Sequence, residues 1–454
     1  MRGCTMAGAR LFGTDGVRGV ANRDLSVELA VALGRAGATV LARRAGRRPR
    51  MLIGRDSRRS GDMLEAALAA GAMSVGADVL RLGIATTPAV AYLVRVLDVD
   101  AGAVLSASHN PAPDNGIKFF SHDGYKLPDA LEDEIAAIVT GGRQTPRPEA
   151  AALGYAEDRG GELARYVDFI AAISGRLDGL RLVCDCGNGA ATALAPAALR
   201  QAGAAVEAVA ASPDGMNINA GCGSLYPARL ARAVVELDAH AGFAFDGDAD
   251  RVIAVDERGQ TVDGDQIMAM LGLDRLRRGQ LPGSTVVGTV MSNLGLEVCL
   301  QRAGGRLLRT AVGDRYVLEA MQAGGYALGG EQSGHIDLLE HHTTGDGLLT
   351  AALVSALLCR SGESLSSLAA VMPHLPQVLQ NVPVRGRVSL DDHPAIAAAV
   401  RAAEGALGEL GRVLVRPSGT EPLVRVMVQG GDEVAVRQAA ARISQVVAAE
   451  IDGV

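Results

Sequence analysis

Tryptophan is absent from this 454-residue chain, and only 7 tyrosines and 6 phenylalanines supply aromatic surface. So few flat side chains leave little platform for stacking single-stranded nucleic acid. A basic surplus is also missing: 44 Lys and Arg against 51 Asp and Glu give a net charge of −7, with no long run of either sign. Duplex binders carry a basic surplus or stripe, so no nucleic acid partner is expected. No run of about 18 apolar residues escapes a charge, so no membrane association is expected. Residues 1–10 lack the apolar centre of a secretory leader, and the expected location is cytoplasmic. The six cysteines (Cys4, Cys184, Cys186, Cys222, Cys299 and Cys359) are too few and scattered for a disulfide framework. Cys184 and Cys186, two apart in an apolar run, read as core rather than as metal ligands.

What the chain does have is length, alanine and 57 glycines, with 48% hydrophobic residues. At about 150 residues per domain this suggests roughly three domains, with two or four allowed. Alanine-rich segments at helical spacing alternate with short β-branched runs, the pattern of an α/β fold. Helices are expected at 26–42 and 63–75, with apolar runs at 51–53, 77–82 and 102–105. A Gly/Pro/Arg-rich stretch at 140–149 reads as the first boundary. Further runs fall at 182–186, 205–209 and 242–245, then at 285–289, 306–309 and 326–328. Pro373, Pro376 and Pro383 mark another linker. Beyond it the pattern is strand 382–388, helix 392–410, strands 412–416 and 424–429, and helix 433–451. The division this implies is 1–150, 151–260, 261–375 and 376–454, three α/β units followed by a smaller α+β unit.

Each of the first three units sends an apolar run into a polar loop, and ligand-binding groups collect at the carboxyl ends of strands in α/β sheets. The first loop is Ser106-Ala107-Ser108-His109-Asn110-Pro111, with Lys118 about one loop downstream. Ser108 reads either as a nucleophile or as part of a turn that satisfies its own backbone. Lys118 is a proton-transfer or phosphate partner, or a solvated charge. The second loop is Asp246-Gly247-Asp248-Ala249-Asp250-Arg251. Its three carboxylates at i, i+2 and i+4 share one face of an extended segment and would repel without a cation. Hard oxygen ligands in this number suit Mg²⁺. Gly247 and Ala249 remove bulk, letting the chain curl around an ion. The third loop, Glu331-Gln332-Ser333-Gly334-His335, offers groups suited to sugar hydroxyls, or is a polar surface loop. The fourth, Arg416-Pro417-Ser418-Gly419-Thr420-Glu421-Pro422 with Arg425 beyond, has the arginines, hydroxyls and exposed N–H groups of a phosphate cradle. A plain hairpin would explain the Gly and Pro but not the arginines.

Taken in order with Phe12-Gly-Thr-Asp-Gly-Val-Arg18-Gly19, these motifs span nearly the whole chain. Together they resemble the α-D-phosphohexomutase family. The resemblance implies four domains in a heart-shaped arrangement around one cleft, and a phosphoserine enzyme phosphorylated on Ser108. It implies one Mg²⁺ held by Asp246, Asp248 and Asp250 with a phosphoryl oxygen on Ser108. Arg18, His109, Lys118 and Arg251 would line the catalytic region. Glu331, Ser333 and His335 would meet the sugar, and Arg416, Ser418, Gly419, Thr420 and Arg425 would grip the phosphate that is not reacting. The reaction implied is interconversion of glucosamine 6-phosphate and glucosamine 1-phosphate through a 1,6-bisphosphate, which is also the expected activator, in amino-sugar and cell-wall precursor synthesis. A homodimer is the family expectation. Glycine is common where this chain has Ala249, and the methyl group is expected to be tolerated. The alternatives are a sister mutase for mannose or glucose phosphates, and a phosphatase with Asp246 as nucleophile and Asp248 as acid. The phosphatase would leave the serine loop and the arginine loop unexplained.

Overall fold

Among the described residues, four sheets follow one another along the chain, and the first three are assembled on one plan. The computed structural model describes residues 10–13, 15–41, 47–141, 144–384, 393–417 and 423–452. The first sheet has six strands, β1 (Val17–Val20), β2 (Arg50–Arg55), β3 (Asp78–Ile84), β4 (Ala101–Leu105), β5 (Asp114–Ser121) and β6 (Ala156–Asp158), in the order β1-β5-β4-β2-β3-β6. Its central strand β4 is apolar throughout, and β2 is buried on both faces between its end arginines, because helices cover both sides of the sheet. Met51 and Ile53 of β2 pack on one side with Leu33 and Leu68, while Leu52 packs on the other with Val90, Leu93 and Phe120. The helices Val27–Leu41 and Ser60–Met73 touch backbone to backbone. A Cβ on Gly34 would lie 2.1 Å from the Leu68 carbonyl oxygen, which explains the small residues on these helices.

The second sheet contains β7 (Arg181–Asp185), β8 (Ala205–Val209), β9 (Ala241–Phe245), β10 (Val252–Asp256) and β11 (Thr261–Val262), in the order β11-β10-β9-β7-β8. The third contains β12 (Thr285–Thr289), β13 (Arg306–Thr310), β14 (Leu328–Gly330) and β15 (Ile336–Leu338), in the order β13-β12-β14-β15. In all three sheets a buried strand with a parallel neighbour ends in a polar loop and returns antiparallel: β4 to β5, β9 to β10, β14 to β15. That return puts the serine loop, the aspartate loop and the glutamate loop each at the carboxyl end of a strand. The fourth unit has β16 (Gln377–Pro383), β17 (Arg412–Pro417) and β18 (Leu423–Gln429) in the order β16-β18-β17, covered by helices Pro394–Leu407 and Glu433–Asp452.

Some expectations shift. Residues 114–121, to which the sequence pattern assigns no element, form β5, so Lys118 stands on a strand paired with β4. β6 lies beyond residue 150 yet pairs with β3 and extends the first sheet. The strand expected at 382–388 runs over Gln377–Pro383 instead, and residues 385–388 lie outside those described. Pro383 is therefore a strand residue rather than a linker, which an edge strand tolerates. Cys184 and Cys186 are core, as expected. No helix among the described residues is long and apolar enough to cross a membrane.

Candidate active site

Ser108 follows the fully buried strand β4 and adopts φ +53°, a left-handed conformation uncommon for a side-chain-bearing residue. This turns its side chain toward the second domain, where Oγ donates to Asp246 Oδ2 at 2.6 Å. His109 Nδ1 lies 3.2 Å from the same Oγ and also receives Arg251 Nη1 at 3.1 Å. Burial and then the Arg251 and Arg18 charges push His109 down to about 4, so its ring is neutral at pH 7.

The aspartates come together, though not along an extended segment. Residues 246–251 form a tight turn, with Ala249 at φ +58°. The turn is what gathers the carboxylates, because an extended strand would space alternate side chains about 7 Å apart. All three are buried, and one carboxylate oxygen of each lies within 4.8 Å of the others. Asp246 Oδ1 accepts from the Arg251 N–H at 3.1 Å. Asp248 Oδ2 accepts from Thr87 Oγ at 2.6 Å and from Lys118 Nζ at 2.9 Å. Oδ1 of Asp248 and Oδ1 of Asp250 are buried with no hydrogen-bond partner. Burial and the neighbouring carboxylates push Asp246 well above the usual range. Asp250 is held well below it despite burial, chiefly by Lys118 and His335. A hard divalent cation fits this donor set: it would satisfy the orphaned oxygens and let all three carboxylates ionise together.

Positive charge surrounds the triad. Burial works against the Lys118 ammonium, but Asp15, Asp248 and Asp250 outweigh it and raise its pKa. Its Nζ lies 2.9 Å from Asp15 and 3.5 Å from Asp250. Arg18 reaches this group through Asp15, with which it forms an ion pair. Arg251 is raised against its burial by Asp250 and Asp246, and its Nε is buried without a partner.

The third loop is divided. His335 is buried, with Nδ1 3.9 Å from Asp250 and Nε2 3.7 Å from Asp314. Burial opposes its charge, but Asp250, Asp337 and Asp314 raise it to about 9. An isolated bridge between Arg251 and His335 joins the second and third domains. Glu331 stays partly exposed, accepting from Gly313 N at 3.1 Å, and Ser333 is exposed. In the fourth unit Arg416 and Arg425 stand opposite each other on β17 and β18. Ser418, Gly419 and Thr420 lie outside the described residues. Among the described residues, the two arginines are brought opposite each other across this pair of strands. The fourth domain meets the third through Gln429, which accepts from Leu294 N at 3.0 Å.

Several members of this network escape the motif reading. Asp15 lies inside the opening motif, where its residue type alone assigns it no role. Thr87 follows the helix N-cap Thr86, a signal for a helix start rather than for a site. Lys126 bridges Asp15 of the first domain and Asp314 of the third, and no sequence pattern marks it. Asp314 follows Gly313 at a helix start, a pattern with many other uses.

Four family models match in succession. They are described as phosphoglucomutase/phosphomannomutase alpha/beta/alpha domain I over residues 9–146, domain II over 164–259, domain III over 263–375, and the C-terminal domain over 379–446. The chain is 55% identical over 444 residues to the phosphoglucosamine mutase of Symbiobacterium thermophilum, covering 97% of this chain and 99% of that one. It is 56% identical over 425 residues to that of Moorella thermoacetica, covering 93% and 96%. Among solved structures, a phosphoglucomutase/phosphomannomutase family protein from Burkholderia thailandensis superposes with a TM-score of 0.82 at 25% identity, over 97% of this chain and 98% of that one. The N-acetylphosphoglucosamine mutase of Aspergillus fumigatus, solved with GlcNAc-6P and magnesium, shares the fold at 18% identity and a TM-score of 0.69, over 96% and 95%. With all four domains matched in order and the serine, aspartate and glutamate loops converging in space, this chain belongs to the phosphoglucomutase/phosphomannomutase family.

Proposed function

We propose that this chain interconverts glucosamine 6-phosphate and glucosamine 1-phosphate, with Ser108 as the residue that carries the transferable phosphate. The observation that carries the reading is the 2.6 Å contact from Ser108 Oγ to Asp246, made inside a buried acidic triad contributed by another domain. Relatives more than half identical over nearly the whole chain bear the corresponding name.

The reaction needs a phosphoryl group to pass in line between oxygens while charge on its equatorial oxygens is neutralised. The sugar hydroxyl takes the phosphoryl group from Ser108, breaking the bond to Oγ and forming the 1,6-bisphosphate. After the intermediate reorients, Ser108 Oγ takes the other phosphoryl group and releases the product. Asp246, Asp248 and Asp250 would hold Mg²⁺, which supplies charge neutralisation at the phosphoryl oxygens. Lys118 and Arg251 present fixed positive charge around the same point, and Arg18 supports Lys118 through Asp15. Glu331 and Ser333 meet the sugar hydroxyls, and His335 ties their loop to Asp250. Arg416 and Arg425, with the loop at 418–420, anchor the phosphate that is not reacting, so one cradle serves both orientations. A sugar 1,6-bisphosphate restores phosphate to Ser108, and the same reading takes the enzyme as a cytoplasmic homodimer.

The test is an assay of the purified chain with glucosamine, glucose and mannose 6-phosphates, in Mg²⁺ with a trace of bisphosphate. Fastest turnover is expected with the glucosamine substrate. Preference for mannose or glucose phosphate would reassign the chain to a sister mutase, and release of inorganic phosphate as the main product would favour the phosphatase.

A further inference from the structure

The environment of the Ser108 backbone carries a further step. Arg58, in the turn after β2, has a fully buried side chain. A guanidinium offers five N–H donors in a rigid fork, and here all five have acceptors. Nε donates to Asp56 Oδ2 at 2.8 Å. Nη2 donates to the carbonyl oxygens of Ser108 at 3.0 Å and Asn110 at 2.7 Å. Nη1 donates to the carbonyl oxygens of Asp114, at 3.0 Å, and Pro111. Four carbonyls of one loop, 108 to 114, are thus drawn onto a single planar cation.

Two more side chains complete the arrangement. Ser106 Oγ accepts from Ser108 N at 2.9 Å and donates to Asp56 Oδ2 at 2.6 Å. Asn219, from the second domain, donates Nδ2 to the Ser108 carbonyl at 2.9 Å and to the Asn110 carbonyl at 3.1 Å. Both backbone polar atoms of Ser108 are therefore held by side chains, in a φ region that serine does not hold unaided. The aspartate loop is pressed onto the same point, since a Cβ on Gly247 would lie 2.6 Å from the Ser108 carbonyl oxygen. Burying an arginine is expensive and is tolerated only when every donor is matched. An apolar side chain would fill the space more simply but could not hold four carbonyls.

We propose that Arg58, with Asp56, Ser106 and Asn219, is a positioning assembly that locks the Ser108 backbone and so aims Oγ at the acidic triad. The inference rests on the reading of Ser108 as phosphate carrier. With all five donors engaged within the chain, Arg58 has none left for a substrate, and it acts through the geometry of the loop. Near-attack placement is sensitive to such support: a shift of about 1 Å costs about 100-fold in rate.

The experiment compares Arg58→Lys, Ser106→Ala, Asn219→Ala and Ser108→Ala in the full chain. It measures kcat and KM for glucosamine 6-phosphate, thermal melting, and phosphate on Ser108 by intact mass after incubation with bisphosphate. Lysine keeps the charge but offers only three donors from a point, so Arg58→Lys should lower kcat by about 10- to 100-fold. Ser106→Ala and Asn219→Ala each remove one side-chain tether, and each should lower kcat by about tenfold with KM within about twofold. Both should slow phosphate uptake by Ser108 while melting near the wild type. Wild-type kcat in folded Ser106→Ala and Asn219→Ala, or a change confined to KM or melting, would overturn the positioning role. Retained activity in Ser108→Ala would instead overturn the phosphoserine reading itself, so the two failures are distinct.

Discussion

The serine–aspartate cluster and the arginine pair of the fourth domain are the two regions the proposed function assigns to phosphate, and they are built in opposite ways. In the cluster opposite charges meet: Asp15, Asp248 and Asp250 face Lys118, and Asp250 faces His335. Its groups are buried, and its loops are cross-tied between three domains. On β17 and β18, by contrast, two like charges face each other, and Arg416 Nε is buried without a partner. Burial and then the Arg425 charge lower Arg416 below its ordinary value. Like charges directly opposite on a sheet are destabilising unless something lies between them. On the proposed function, the end that breaks bonds is preorganised by opposite charges, and the end that grips presents two like charges suited to an anion.

The sharpest way to break this comparison is Ser108→Ala. If the cluster exists to transfer phosphate through Oγ, mutase activity should fall by at least about 1,000-fold, and intact-mass spectra should lose the phosphate. Activity that survives would leave the cluster without its donor and bring Asp246 forward as nucleophile.

Asp248→Asn tests whether the acidic triad serves catalysis rather than folding. The change keeps size and leaves Lys118 paired with Asp15 at 2.9 Å and Asp250 at 3.5 Å, so no ammonium is stranded. Loss of one carboxylate should reduce turnover by about 100-fold, the scale of removing one preorganised electrostatic contact. Melting should stay within about 4 °C, equivalent to roughly 1 kcal/mol. Early melting with intact turnover would make the triad a structural element.

How much of this was legible depends on which forces act locally. The carboxylates of the aspartate loop announce a cation, and Gly247 and Ala249 the room to curl around it. The sequence reads the segment as extended, however, and the tight turn that gathers the carboxylates appears only in the structure. That Ser108 Oγ meets Asp246, 138 positions away, follows only from the packing of two domains. The strand 114–121 was hidden because Asp114, Asn115 and Gly116 read as turn residues, whereas pairing with β4 and β1 overrides local preference. Lys126 and Arg58 look like surface charges in sequence, and only burial against Asp15, Asp314 and the serine loop reveals them.

Arg416→Lys probes the other side of the comparison. Lysine would keep the charge but lose the planar two-pronged geometry that matches phosphate. A charge-assisted hydrogen bond of this type contributes roughly 1.5–3 kcal/mol, or about ten- to a hundredfold in kcat/KM. If one cradle holds either phosphate, both reaction directions should fall by similar factors, and Ser108 should still accept phosphate. If only one direction falls, the two orientations use different anchors and the arginine pair is not shared.

The smallest expected effect lies at Ala249, where strain and packing oppose each other within the cluster. Its φ of +58° favours glycine, and its side chain is fully buried. Ala249→Gly would relieve about 1 kcal/mol of backbone strain. It would also remove a buried methyl worth about 0.8 kcal/mol and add unfolded-chain freedom worth about 0.4–1 kcal/mol. The contributions nearly cancel, so melting should move by no more than about 3 °C in either direction. A rise well beyond that would mean the turn is held against strain by its neighbours, as at Ser108. A fall of the same size would mean the methyl is a packing element of the aspartate loop, and that preorganisation here comes from contact rather than from backbone geometry.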